Sequence, residues 1–125
     1  MGEAIRVVPH EALNPGPSTA GMVRNTAAAT DTLWVGEVRT APGAWSEWHH
    51  HGEHTTYGRV VSGHLQFEFG PKGAESVRAS AGDFFIVPPH TVHREGNPGS
   101  EEHVLVGIRV GTGPTVFNVE GPDPA

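Results

Sequence analysis

The chain has 125 residues, room for one domain with a sizeable core, and carries no cysteine, so disulfides, thiolate ligands and a thiol nucleophile are excluded. Its formal charge is −6, and its eight basic residues are scattered without a stripe, which argues against nucleic acid and anionic membranes as partners. No apolar run reaches the ~18 residues of a membrane span, and the N-terminus lacks the pattern of a secretory signal, so a cytoplasmic location is expected.

Seventeen glycines and eleven prolines divide the chain into short apolar runs. That is the pattern of an all-β sandwich or barrel, and no window sustains a helical period. Ile5 to Val8 reads as an edge strand stopped by Pro9. One helical turn follows at His10 to Leu13, then a loop from Asn14 to Gly21. Strands are predicted at Met22 to Ala28 and at Leu33 to Thr40. Ala41-Pro42-Gly43 suits a type II turn, proline presetting φ and glycine taking the positive φ. Ala44 to His51 and Thr55 to Val61 are the next strands, and Ser62-Gly63 turns into His64 to Phe69, which alternates cleanly. Strands then follow at Glu75 to Ser80, Phe84 to Val87, Val92 to Glu95, His103 to Val110 and Thr115 to Val119.

Four of nine histidines fall within six residues: His49, His50, His51 and His54. Neutral imidazole is the commonest metal ligand near pH 7. Alternation along a strand puts His49 and His51 on one face and His50 on the other. If Gly52-Glu53 form a two-residue type II′ turn, His54 faces His51 across it and joins the same patch. His10, His50, His64 and His103 lack a partner at ligand spacing and read as hydrogen-bonded structural residues.

The stretch Gly43 to Gly63 resembles the first motif of the cupin superfamily, G-x5-H-x-H-x(3,4)-E-x6-G, with Gly43, His49, His51 and Gly63 in register. Gly82 to Asn97 resembles the second, G-x5-P-x-G-x2-H-x3-N, through Gly82, Pro88, His93 and Asn97, with His90 in place of the motif's glycine. The resemblance implies a single cupin domain over residues 1–125. The fold would be a double-stranded β-helix, or jelly-roll barrel, with one divalent metal held by His49, His51 and His93. Zinc is the preferred ion, with iron, nickel, manganese or copper as alternatives. The motif's glutamate should stand at 55 or 56, where both residues are threonine, a poor ligand because its hydroxyl stays protonated. His54 is the preferred replacement and Glu53 the other, although at a turn tip Glu53 would point to water. His90 and Tyr57 are candidate catalytic residues at the barrel mouth.

Three functions fit the resemblance. The first is a non-redox metalloenzyme, of cyclase, isomerase or lyase type, on a small carbonyl-bearing molecule, polyketide cyclases being its most specific version. The second is an Fe(II) and O₂-dependent oxygenase. The third is a binding or sensing module. Losing the motif's carboxylate favours the first, because an all-imidazole set leaves the ion its full charge. A homodimer through Ile5 to Val8 or Met22 to Ala28 is expected.

Overall fold

A computed structural model describes residues 4–124. The strands are β1 (Asn14–Pro15), β2 (Met22–Ala29), β3 (Leu33–Thr40), β4 (His49–His50), β5 (Thr55–Ser62), β6 (His64–Phe69), β7 (Glu75–Ser80), β8 (Phe84–Val87), β9 (His93–Gly96), β10 (His103–Val110) and β11 (Phe117–Asn118). They form two antiparallel sheets, ordered β1-β2-β3-β10-β5-β8 and β11-β4-β9-β6-β7. The chain repeatedly crosses from one sheet to the other, which is the double-stranded β-helix.

Turn chemistry sets the crossings. Gly43 takes φ +75° and the Ala44 N–H donates to the Ala41 carbonyl at 3.1 Å, as the Pro-Gly turn requires. Gly52 takes φ +57° and the His54 N–H donates to the His51 carbonyl at 3.0 Å, so the Gly52-Glu53 turn forms. This turn joins β4 of one sheet to β5 of the other, so His51 and His54 are not cross-strand partners.

Three predicted strands are corrected. Ile5 to Val8 is not a strand. Ile5 and Val7 are exposed, and the edge beside β2 is taken by Asn14–Pro15 within the predicted loop, pairing with Thr26 and Asn25. The strand predicted at Ala44 to His51 is reduced to a bridge from Trp45 to Gly96 and the two residues of β4. Between them Ser46 replaces regular pairing, its N–H donating to the Glu95 carbonyl at 2.8 Å and its Oγ accepting the Glu95 N–H at 3.0 Å. The strand at Thr115 to Val119 shrinks to β11.

Val60, Leu65, Phe67, Ala79, Val87 and Leu105 form the buried core, backed by Val38, Phe69 and Phe85. Each comes from an alternating strand whose inward positions are apolar at one end of the barrel. Toward the other end the same strands turn polar inside. On β10 the inward series runs His103, Leu105, Gly107, Arg109.

Gly36, Gly107 and Gly58 stand side by side on β3, β10 and β5. A Cβ at Gly58 would collide with the Phe85 ring, and one at Gly36 with the Trp34 ring and the Asn25 carbonyl. The bare backbone lets two aromatic rings lie against the sheet inside the barrel. At Gly107 the nearest atom to such a Cβ is Trp34 Cζ3 at 3.6 Å, an ordinary contact.

Gly58→Ala should therefore destabilise the fold by ~1–3 kcal/mol through overpacking. Gly107→Ala should change stability by no more than ~0.5 kcal/mol. Urea denaturation of the two variants checks this, and equal effects would contradict the stacking of Phe85 on Gly58.

Candidate metal centre

His49 on β4 and His93 on β9 are direct partners across the five-stranded sheet. His51 follows β4 on the same face as His49. The ring centroids lie 4.4 Å apart for His49 and His93, 4.8 Å for His49 and His51, and 5.2 Å for His51 and His93. All three residues are buried.

Their tautomers follow from hydrogen bonding. A carbonyl oxygen only accepts, so a ring nitrogen bonded to one must carry the proton. His49 Nδ1 donates to the Glu47 carbonyl at 2.7 Å, His51 Nδ1 to that of Thr115 at 2.8 Å, and His93 Nδ1 to that of Thr91 at 2.8 Å. Each neutral ring therefore presents a bare Nε2 lone pair. His93 Nε2 is fully buried and, among the described residues, has no hydrogen-bond partner. An unpaired buried polar atom is costly, and a metal ion would satisfy it.

The fourth member of the cluster is Glu95. It lies two residues beyond His93, so alternation returns its side chain to the same face. Its Oε1 stands 3.7 Å from His49 Nε2 and 4.0 Å from His93 Nε2, and the four ligand atoms fall within 4.8 Å of one another. Two ligand atoms each ~2.1 Å from one ion would stand about 3–4 Å apart, so these separations fit a shared ion with small adjustments. The two hydrogen bonds to Ser46 hold the Glu95 backbone against the segment that leads into β4.

The electrostatics suit a cation. Burial pushes the His51 pKa down to about 3, helped by the charge of Arg109 and opposed by the bond to Thr115. Burial also lowers the pKa of His49, although Glu95 opposes it. Burial alone would raise the Glu95 pKa, but the fields of His93, His49 and His51, with Arg24, hold it below the ordinary carboxylate value. The donor set is therefore three imidazole Nε2 atoms and one carboxylate.

The remaining predicted site residues lie elsewhere. His54 is buried but bonds through Nε2 to the Gly113 carbonyl at 2.9 Å and packs on Gly111, because its turn carries it into the other sheet. Glu53 points outward, as expected for a turn tip, and pairs with His90 Nε2 at 3.0 Å. His90, exposed and at φ +56°, is thereby on the outer surface rather than at the mouth. Tyr57 is 45% exposed because it alternates with the inward Thr56 and Gly58. His50 accepts the Gly52 N–H and stacks on Phe117, a structural role. Asn97 of the second motif is fully buried, and its amide donates to the carbonyls of Thr40 and Glu101.

Two cavities that share lining residues adjoin the centre. The inner one, about 40 Å³, is lined in part by His51, His93, Glu95 and Thr56. The outer one, about 380 Å³, reaches His49 and is walled by Trp45, Thr115 and Val116. Arg24, Trp34, His51 and Arg109 line both. Sequence reasoning passed over Glu95, Arg24, Trp34 and Arg109. The available signal for Glu95 was its two-residue spacing from His93 on a strand, together with the carboxylate missing at positions 55 and 56.

His93→Ala should abolish stoichiometric metal binding and Glu95→Gln should weaken it, while His54→Ala should keep one ion per chain. Elemental analysis of untagged protein checks this, and full occupancy in His93→Ala would refute the centre. The metal-free protein should also lose stability in acid. The unfolded chain takes up a proton at His51 near pH 6.5 and the native chain only near pH 3, so stability is held above ~6.5 and lost as pH falls through that window. The slope for that one group approaches ~1.4 kcal/mol per pH unit, with His49 and Glu95 acting in the same direction. Urea midpoints for chelator-treated protein across this range test it, and a flat profile would contradict it.

The model of the Cupin domain matches residues 36–109, more than half of the chain. No curated protein matches it. Among solved structures, KdgF from Halomonas sp. is 26% identical, with TM-score 0.69, covering 84% of this chain and 94% of that one. A double-stranded β-helix protein from Klebsiella pneumoniae is 24% identical, with TM-score 0.72, covering 95% and 99%. A mutant of oxalate decarboxylase from Bacillus subtilis is 24% identical, with TM-score 0.69, covering 85% of this chain but 30% of that enzyme. With both motif histidine sets in register on a double-stranded β-helix, the chain belongs to the cupin family.

Proposed function

We propose that the protein is a metal-dependent enzyme acting on a small carbonyl-bearing molecule without net redox change, of lyase, isomerase or cyclase type. The observation that carries this is the convergence of three bare imidazole Nε2 atoms and the Glu95 carboxylate beside a cavity of about 380 Å³. A divalent ion bound there would supply a Lewis acid to polarise a substrate oxygen. His49, His51, His93 and Glu95 would hold it, zinc or manganese being compatible with these donors.

The chain's own residues define the rest. Trp34, Trp45 and Val116 give the outer cavity apolar walls, suited to an apolar or aromatic substrate body such as a polyketone. Arg24 and Arg109 bring two cations to a polar lining that also holds Glu47 and Glu95, and a substrate oxygen lying against the guanidinium groups would be favoured as it gains negative charge during enolisation or bond cleavage. Tyr57 and His90, lying outside, take no part in this reading.

One observation favours a second reading. With Glu95 among the donors, the all-imidazole argument for non-redox chemistry no longer applies, and histidine with carboxylate also suits Fe(II) and oxygen. Zinc-loaded protein, given polyketone or aromatic carbonyl substrates without air, should form isomeric or cleaved products, followed by mass. Products that gain oxygen atoms, and only in air with iron, would overturn the non-redox class.

A further inference from the structure

Arg109 is an inward cation that lines the same inner cavity as Glu95 and feels its field without pairing with it. Among the described residues neither it nor Arg24 makes an ion pair. Arg109 Nε is fully buried and has no hydrogen-bond partner. Burial lowers the pKa of Arg109, Glu95 opposes this from a distance, and Arg24 adds repulsion, so two like charges face one space. Only one of Arg24's guanidinium nitrogens is engaged, donating to the Pro17 carbonyl at 3.3 Å.

The neighbours of Arg109 hold it in place. Its cross-strand partners are Trp34 on β3 and Thr56 on β5. The guanidinium carbon lies 6.0 Å from the Trp34 ring centroid, and Trp34 is itself fixed by its Nε1–H bond to Thr26 Oγ1 at 3.0 Å. Thr56 Oγ1 is another fully buried polar atom without a partner among the described residues, lining the same inner cavity, as do the unpartnered Nε2 atoms of His93 and His103. Two adjacent unsatisfied donors and a second guanidinium, gathered beside His51, call for one acceptor. The planar fork of arginine matches a carboxylate in both geometry and charge. The inner cavity, about 40 Å³, has room for a group of that size.

We propose that Arg109, Thr56 and Arg24 bind a substrate carboxylate, so that the substrate is an oxo-carboxylic acid rather than a neutral ketone. This rests on the proposed metal centre only for the placement of the carbonyl; the anion site itself needs no ion.

Calorimetric titration with pyruvate, benzoylformate and their methyl esters tests the proposal, on zinc-loaded and chelator-treated protein. The acids should bind both forms and the esters much more weakly. Arg109→Met and Thr56→Val should each weaken acid binding, the first by at least about tenfold, with zinc content unchanged. Thr56→Val is nearly isosteric, which keeps the test informative should Arg109→Met fold poorly. Arginine-dependent acid binding in a protein that never takes up zinc would leave the anion site standing and refute the metal centre. Zinc at one ion per chain with equal acid affinity in wild type, Arg109→Met and Thr56→Val would refute the anion site alone. Esters bound as tightly as acids, inorganic phosphate bound more tightly than either acid, or no acid bound at up to about 10 mM would also overturn it.

Discussion

Three backbone carbonyls, of Glu47, Thr91 and Thr115, each accept a hydrogen bond from one imidazole Nδ1–H. Everything at the centre depends on those bonds. They choose the tautomer, aim the ring and leave Nε2 bare in a buried space. Burial then keeps His49 and His51 neutral, because charging them would cost more than the nearby carboxylate returns. Two of the three bonds are local, each spanning two residues, so the motif segments carry their own positioning. The third reaches from His51 to Thr115, which makes the C-terminal segment part of the site.

Much of this was legible in the sequence. Alternation in H-x-H placed His49 and His51 together, and the two motif resemblances brought in His93 from far along the chain. The Gly52-Glu53 turn was also readable. What failed was the inference built on it, since a tight turn implies cross-strand partners only when both flanks belong to one sheet. Here the turn spans two sheets, and His54 is carried toward Gly111 and Gly113. Tyr57 and His90 failed for a related reason. Proximity in sequence to a ligand says nothing of side-chain direction, which alternation reverses at Tyr57 and a left-handed turn residue redirects at His90. The edge strand misplaced to Ile5–Val8 depended on competition between two segments for one sheet edge, a contest that local pattern does not decide.

Glu95 shows how a carboxylate can reach the imidazole cluster from a different strand than the motif's own. The motif's carboxylate belongs after the second histidine, at position 55 or 56, both threonine here, of which Thr56 pairs with Arg109 across the sheet. In this chain a carboxylate enters from β9 instead, two residues past His93, with Ser46 bonding both polar groups of its backbone. A centre of the proposed kind needs one anionic oxygen near the imidazoles. The pleat offers that from any inward neighbour, so a ligand position in a motif is weaker guidance than the ligand's chemistry.

The move also separates two tasks between two sheets. His49, His93 and Glu95 stand on or beside the five-stranded sheet, with His51 just beyond β4. Arg24, Trp34, Thr56 and Arg109 all belong to β2, β3, β5 and β10 of the six-stranded sheet. Had the carboxylate remained at position 56, it would have faced Arg109 directly across β5 and β10 and paired with it, neutralising the cation. Threonine there leaves the guanidinium without an ion-pair partner among the described residues and adds a donor beside it. Gly36 contributes on the same sheet by letting the Trp34 ring lie against it within reach of Arg109. One wall of the barrel thus supplies lone pairs and negative charge, the other supplies N–H and O–H donors and positive charge. A ligand lying between them can meet both without either set having to move.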